Sequence, residues 1–322
     1  MIVALTVLAC GGSGPPTAAP LPPSSSLNGW LVATMGGMPD ASMTIRPQAA
    51  RTDPYWGPLV GRVLAMRDHR GDIISHASGA TVLNAQQIDL HLIYRDPLGL
   101  AGSSGKKKAD LRAVGWLGVI HGAVPFDPLG VRDGDGRPLF APPFRMPSGV
   151  LVFFASQPYL HDFGPIVPTA FLLPNGTYVV ADQTAAPRVQ AMLAQNPAPP
   201  PALEMPPDSL GGVTFAVTSL RFVDARSAAG AITQGMVAAG LGLRGGAGGS
   251  VDAYASYGSS DDAQRGYEAL QRECASKPDS CFFSPGLFRD ARASRDGTRL
   301  NVSLAFTDKL LNSIQAQADA IE

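Results

Sequence analysis

Gly240-Leu241-Gly242-Leu243-Arg244-Gly245 has the glycine spacing of a dinucleotide-binding loop, and Asp261 stands beyond it where a ribose-binding carboxylate would sit. That chemistry needs a strand before the glycines and a helix after them, so that a pyrophosphate meets free helix amides. Here the order runs the other way, a helix first and a strand afterwards, and the segment reads as a flexible loop with no nucleotide. Gly99 to Lys107 looks like a phosphate loop, but five residues separate its glycines and Lys107 stands where a magnesium-binding Ser or Thr is required. Lys106, Lys107 and Lys108 read instead as a solvated loop with a weak attraction for anionic headgroups. Asp133-Gly134-Asp135-Gly136 begins like a calcium loop, yet Arg137 replaces an oxygen ligand and Phe144 stands at the twelfth position. A polar turn is the expectation there.

The histidines are His69, His76, His91, His121 and His161, and no two stand at helical metal-binding spacing. His91 lies on the polar face of an expected strand, which predicts a solvated side chain. His161-Asp162 has the means to orient an imidazole, but no serine stands in a Gly-x-Ser-x-Gly elbow. The pattern therefore assigns no catalytic residue, no metal and no cofactor. A hydrolase whose site is assembled from distant segments stays open as an alternative.

The elements that would position such residues are read from hydrophobic period. Gln87 to Tyr94 alternates, with Ile88, Leu90, Leu92 and Tyr94 opposed to Gln87, Asp89 and His91. Arg299 to Phe306 and Val251 to Tyr257 do the same, and a period of two with one polar face describes a sheet packed on one side. Val213 to Phe222 alternates with a slip near Val217 that suggests a bulge. Val150 to Ala155 is continuously apolar and reads as a central strand. Leu172 to Tyr178 carries the Asn175-Gly176 pair of a hairpin. Helices are expected after Asp53-Pro54, with a stripe of Trp56, Val60 and Val63, and after Ser260, with Ala263, Tyr267, Leu270 and Cys274 on one face. A weaker helix runs from Ser227 through Ile232 and Met236, and a last one from Asp308 carries Leu310, Leu311, Ile314, Ala318 and Ile321. Strand, polar joint, amphipathic helix recurs three times in the second half. The fold class is α+β: a mixed or largely antiparallel curled sheet with amphipathic helices on one face and strand–helix units repeated in architecture.

The chain has 322 residues, with 25 Lys plus Arg against 26 Asp plus Glu, so no basic footprint for nucleic acid exists. No apolar run approaches the roughly 20 residues of a membrane-spanning helix. Residues 1–9 are uncharged and almost wholly apolar, and Cys10 follows them. This reads as the apolar region of a secretory signal. It has no Lys or Arg, so either the true start lies upstream or Met1 is an internal residue. A buried terminal strand with a free cysteine is the plain alternative. Residues 10–29 form a Gly/Pro/Ser tether, reaching on the order of 20–25 Å. Residues 30–195 make a first α+β part, 196–209 a Pro-rich connection, and 210–322 a second α+β part.

Val7-Leu8-Ala9-Cys10 resembles a bacterial lipobox, which implies that Cys10 becomes a lipid-modified amino terminus. Gly11 after it, in place of Asp, implies the outer membrane of the cell envelope. In that oxidising compartment Cys274 and Cys281 are an even pair across the turn-prone Ala-Ser-Lys-Pro-Asp-Ser, and a disulfide worth about 2.5 kcal/mol is expected. The tether, Pro54-Tyr55-Trp56 and the closing strand–helix units resemble a diffuse group of uncharacterised envelope lipoproteins of high-GC Gram-negative bacteria. That resemblance implies no activity. The expected function is a lipid-anchored, non-catalytic binding or structural module with an envelope protein as partner. A carrier of an amphipathic ligand, with Phe153, Phe154, Phe171, Phe282 and Phe283 lining a cavity, is the first alternative and a hydrolase the second.

Overall fold

The computed structural model describes residues 26–54, 56–57, 85–94, 113–122, 128–130, 136–138, 140–156, 159–161, 164–205, 209–216, 228–246, 249–276, 288–309, 312–313 and 316. In chain order the elements are α1 (Leu27–Met35), β1 (Ala41–Ile45), α2 (Pro47–Thr52), β2 (Gln87–Tyr94), β3 (Ala113–His121), β4 (Phe144–Arg145), β5 (Leu151–Phe154), β6 (Tyr159–His161), β7 (Gly164–Ile166), β8 (Thr169–Leu172) and β9 (Tyr178–Ala181). There follow α3 (Ala186–Gln195), β10 (Ser209–Ala216), α4 (Ala228–Thr233), β11 (Met236–Arg244), β12 (Ser250–Tyr257), α5 (Ser260–Ser276), β13 (Phe288–Asp296) and β14 (Arg299–Phe306).

One antiparallel sheet of 12 strands dominates, in the order β13-β14-β12-β11-β10-β1-β2-β3-β9-β8-β5-β4, and β6 pairs separately with β7. The segments on either side of the Pro-rich connection share this sheet, because β1 pairs with β10 from Ala41↔Phe215 to Ile45↔Gly211. Strands β2, β12 and β14 lie where alternation placed them. The β8–β9 hairpin turns at Asn175-Gly176, where Gly176 takes φ 85° and the Asn175 side chain accepts from the Thr177 N–H.

Residues directly opposite in an antiparallel ladder share a face, so the register assigns every paired side chain. On the front face Leu117, Val119, Val179, Ala181, Phe171 and Val152 stand in line across β3, β9, β8 and β5. Trp30 and Leu31 of α1 and Val189 and Leu193 of α3 bury against them. Each such side chain contributes roughly 1.5–3 kcal/mol when fully removed from water. Helix α1 forms because Ser26 caps it, its hydroxyl accepting from the Gly29 N–H, and it stops where Gly36 turns left-handed at φ 81°. Helix α3 is started by Asp182, which accepts from the N–H groups of Thr184 and Ala185 with one oxygen and from Trp116 N–H on β3 with the other.

Helix α5 packs on the opposite, back face, where Ala263 and Leu270 meet Ala255 of β12 and Leu300 of β14. The expectation of helices on one face is therefore corrected: α1 and α3 cover the front of one half, α5 the back of the other. The helices of the two halves thus cover opposite faces, and the first half also buries Phe153 and Ala170 on its back. Ser259 caps α5, accepting from the Asp262 N–H and donating to the Asp262 carboxylate.

Gly266 lets α5 approach the buried phenol of Tyr257, which donates to the Ile232 carbonyl at 2.7 Å and is pushed up to about 12 by burial. A Cβ at position 266 would overlap the Tyr257 ring and hydroxyl. In an open helix Gly→Ala stabilises by about 1 kcal/mol. Gly266→Ala is expected to reverse that sign and cost about 1–3 kcal/mol through overpacking, read from the midpoint of urea unfolding.

Other expectations are corrected. Gly240 to Arg244 is not a loop but the body of β11, and α4 ends before Met236, which opens that strand. Leu151–Phe154 lies second from the sheet edge rather than centrally, and is apolar throughout because Val152 packs on the front and Phe153 on the back. The described irregularity in β10 falls between Ser209 and Gly211, and the slip expected near Val217 lies outside the described residues. Asp53 does cap a turn, accepting from the Trp56 N–H at 2.9 Å, but Val60 and Val63 lie outside the described residues.

Candidate functional site

The front face of the middle strands carries polar side chains where its neighbours carry apolar ones. The same alternation that turns Ile88, Leu90 and Leu92 backward turns Gln87, Asp89 and His91 forward, beside Ser42 and Thr44 of β1 and His121 of β3. The expectation for His91 fails here: Asp89 and His91 are 0% exposed. They are covered because residues 196–205, the Pro-rich connection, run across the front of the sheet. The Leu203 N–H donates to Asp89 Oδ2 at 3.0 Å, and Gln87 Nε2 donates to the Leu203 carbonyl at 2.8 Å.

Asp89 is the hub. Its Oδ2 also meets His121 Nε2 at 3.0 Å, and its Oδ1 accepts from Gln87 Nε2 at 2.9 Å. Burial pushes the carboxyl up, but the His121 imidazole, the adjacent Thr44 hydroxyl, the Leu203 N–H and the Gln87 amide outweigh it, holding Asp89 below the ordinary 3.8. His91 Nδ1 lies 2.8 Å from Ser42 Oγ, while its Nε2 is buried without a partner. Burial drives His91 down to about 4, with the Asp89 charge opposing and His121 adding to the fall. The side chain is neutral near pH 7.

A serine within hydrogen-bond reach of a histidine invites a catalytic reading, and the tautomer argues against it. A proton on Nε2 would leave an N–H buried with no acceptor, at a cost of roughly 1–3 kcal/mol. A proton on Nδ1 is satisfied by Ser42. His91 then donates to the serine instead of accepting from it, the reverse of a general base, and no carboxylate orients its far nitrogen. Both groups are sealed from solvent. The arrangement is suited to holding the strands and the crossing segment together.

Farther along the front face the glycines of β11 acquire a reason. Gly240 is directly opposite Tyr254, whose ring lies where a Cβ at 240 would stand. The ring is sandwiched from above by the Arg299 guanidinium, 4.1 Å from its centroid, and its hydroxyl meets Thr214 Oγ1 at 3.2 Å. Gly240 of the fingerprint-like run thus seats an aromatic side chain rather than a phosphate.

The expected aromatic cavity is not assembled by the described phenylalanines. Phe171 faces front and Phe153 back, and Phe154 stacks on Phe144 at the surface. Cys274 lies in the last turns of α5, packed on the back-face cluster. Cys10, Cys281, His69, His76, Lys106 to Lys108, Asp133, Asp135, Asp162, Phe282 and Phe283 lie outside the described residues. Among the described residues, no group of three or more His, Cys, Asp or Glu is placed to hold a metal. No described helix is long and apolar enough to cross a membrane. Among the elements that sequence reading missed are α1, β1, β3, α3 and β13, together with the polar seam. Ser26 before Leu27, Asp182 three residues before Ala185, and Gly36 were signals that pointed to the helices.

In comparison with known proteins, the chain matches no family model, no curated protein and no solved structure.

Proposed function

We propose that this chain is a lipid-anchored protein of the bacterial envelope, attached to the outer membrane through Cys10, that binds an envelope protein and performs no catalysis. The observation that carries this reading is an inversion in the middle of the sheet. Its polar front row is buried, while the apolar back row Leu90–Met43–Val213–Leu241–Ala253 is open, with Met43 42% and Leu241 44% exposed. Contiguous apolar surface of this kind marks an interaction face. The sheet edges favour a face over an edge: β4 has two residues, and β13 carries Arg289, Asp290, Arg292, Arg295 and Asp296. The division of Phe153 and Phe171 between faces, and the donor direction at His91, favour docking over the carrier and hydrolase alternatives.

A Cys274–Cys281 disulfide and the curl of the sheet belong to the same proposal, as does the strand–helix repetition in which α5 follows β12 and a helical turn at Asp308 follows β14. The experiment is capture from envelope fractions with protein made in its native host, compared with Met43→Lys/Leu241→Lys. The double variant is expected to lose the partner that the unaltered protein retains, with its thermal midpoint unchanged and the mass of Cys10 raised by acylation. Equal capture by both proteins would reject the docking face. A bare thiol with residues 1–9 still attached would reject the anchor.

A further inference from the structure

Residues 196–205 cross the front face in an irregular conformation. Pro197, Pro199, Pro200 and Pro201 have no N–H to offer the sheet, and the short Asn196 side chain is spent on the Ala198 N–H. Ala198, Pro199, Ala202 and Glu204 face solvent, and of the ten residues only Pro200 is buried. The segment is therefore held by hydrogen bonds at its far end, not by packing along its length. Both polar groups of the Leu203 peptide are engaged, by Asp89 and Gln87, and Arg46 adds a longer contact of 3.4 Å to the Met205 carbonyl.

We infer that residues 196–205 form a detachable strap, latched through the Leu203 peptide, whose release uncovers the Asp89 carboxylate while the sheet stays folded. Segments with little buried apolar surface open at a free energy well below that of global unfolding. Proline stiffness limits the disorder that the strap gains on release, which holds the opening to a minor population, and presets its return. The groups around the latch are Gln87 and His91 on β2, His121 on β3, Thr44 and Arg46 at β1, and Glu204 on the strap itself. Asp89 is the one carboxylate beneath the strap that the Leu203 N–H reaches.

The test uses the full chain and a protease that cuts after glutamate, since the glutamates are Glu204, Glu268, Glu273 and Glu322. Glu204 is on the strap, and Glu268 and Glu273 are within α5. In the unaltered protein, cutting at Glu204 is expected to proceed in native buffer, slower than in a free peptide of the same sequence. Its rate should change little across urea concentrations below the unfolding transition. Cutting at Glu268 and Glu273 should rise steeply with urea, as exposure of the whole fold demands. Asp89→Asn and Gln87→Leu should each speed cutting at Glu204 in native buffer by about tenfold, the loss of one strong hydrogen bond, while cutting at Glu268 and Glu273 keeps its steep dependence on urea. A urea dependence at Glu204 that matches Glu268 would overturn the proposal, because the strap would then open only with the sheet. So would a rate equal to that of the free peptide. Should a variant unfold entirely, the urea series on the unaltered protein decides alone.

Discussion

Asp89→Ala is expected to lower the free energy of unfolding by about 3–5 kcal/mol, the range for removing one partner from a buried charged network. The carboxylate is completely enclosed and joins three segments: His121 from β3, Gln87 from its own strand and the Leu203 N–H from the strap. Alanine leaves the Leu203 N–H and the His121 ring nitrogen facing a void, and each loses its partner without regaining water. Asp89→Asn keeps the volume and one acceptor oxygen, so its loss should be smaller, about 1.5–3 kcal/mol as for a hydrogen bond to a charged group. The measurement is urea unfolding of the three proteins side by side. An alanine variant within 1 kcal/mol of the unaltered chain would mean that water reaches the site and replaces the carboxylate.

The second large effect is a dependence on acidity set by His91. Its folded value is depressed to about 4 from 6.5. Between those values the unfolded chain binds a proton that the folded chain refuses, so stability falls as pH drops from about 6.5 to about 4 and levels below that. The difference corresponds to about 3 kcal/mol. Ser42→Ala/His91→Leu removes both members of the hydrogen bond and the titrating group together. Replacing both partners by apolar groups of similar shape is close to neutral, so this variant should match the unaltered protein at pH 5 or exceed it, and fall behind only near pH 7. The check is the difference in unfolding free energy between the two proteins at several pH values. Parallel profiles would place the titration elsewhere.

How much of this was legible beforehand divides along physical lines. Local period was readable: Gln87–Tyr94 and Arg299–Phe306 alternate cleanly, and a strand follows from that alone. The start of α5 was nearly as plain, read at Ser260 to Asp262, although the hydroxyl that caps it belongs to Ser259, three residues before Asp262. What period cannot report is which face of a strand ends inside. The polar row of β2 has the pattern of a solvated surface. It is buried because Leu203, distant in sequence, crosses it, and because Ser42 and Thr44 lie opposite with matching hydroxyls. Glycines misled for a related reason. In Gly240 and Gly242 the absence of a side chain looked like freedom, whereas at Gly240 the space belongs to Tyr254 on the neighbouring strand. The two-sided distribution of helices was likewise invisible, because strand parity is carried through pairings between segments far apart.

The place of β1 bears on the order in which the molecule is made. It is a five-residue strand, and it alone connects β10 with β2 in the sheet. Its partner on one side is β2, but on the other Ala41 waits for Phe215. Along a nascent polypeptide emerging from its amino end, the first half can complete β1 through β9 while one rim of β1 has nothing to pair with. Unpaired rims of this kind recruit other chains. Production of the protein truncated before β10 should therefore yield aggregates rather than a smaller soluble fold, and the vulnerable interval in biogenesis ends when residues 209–216 arrive.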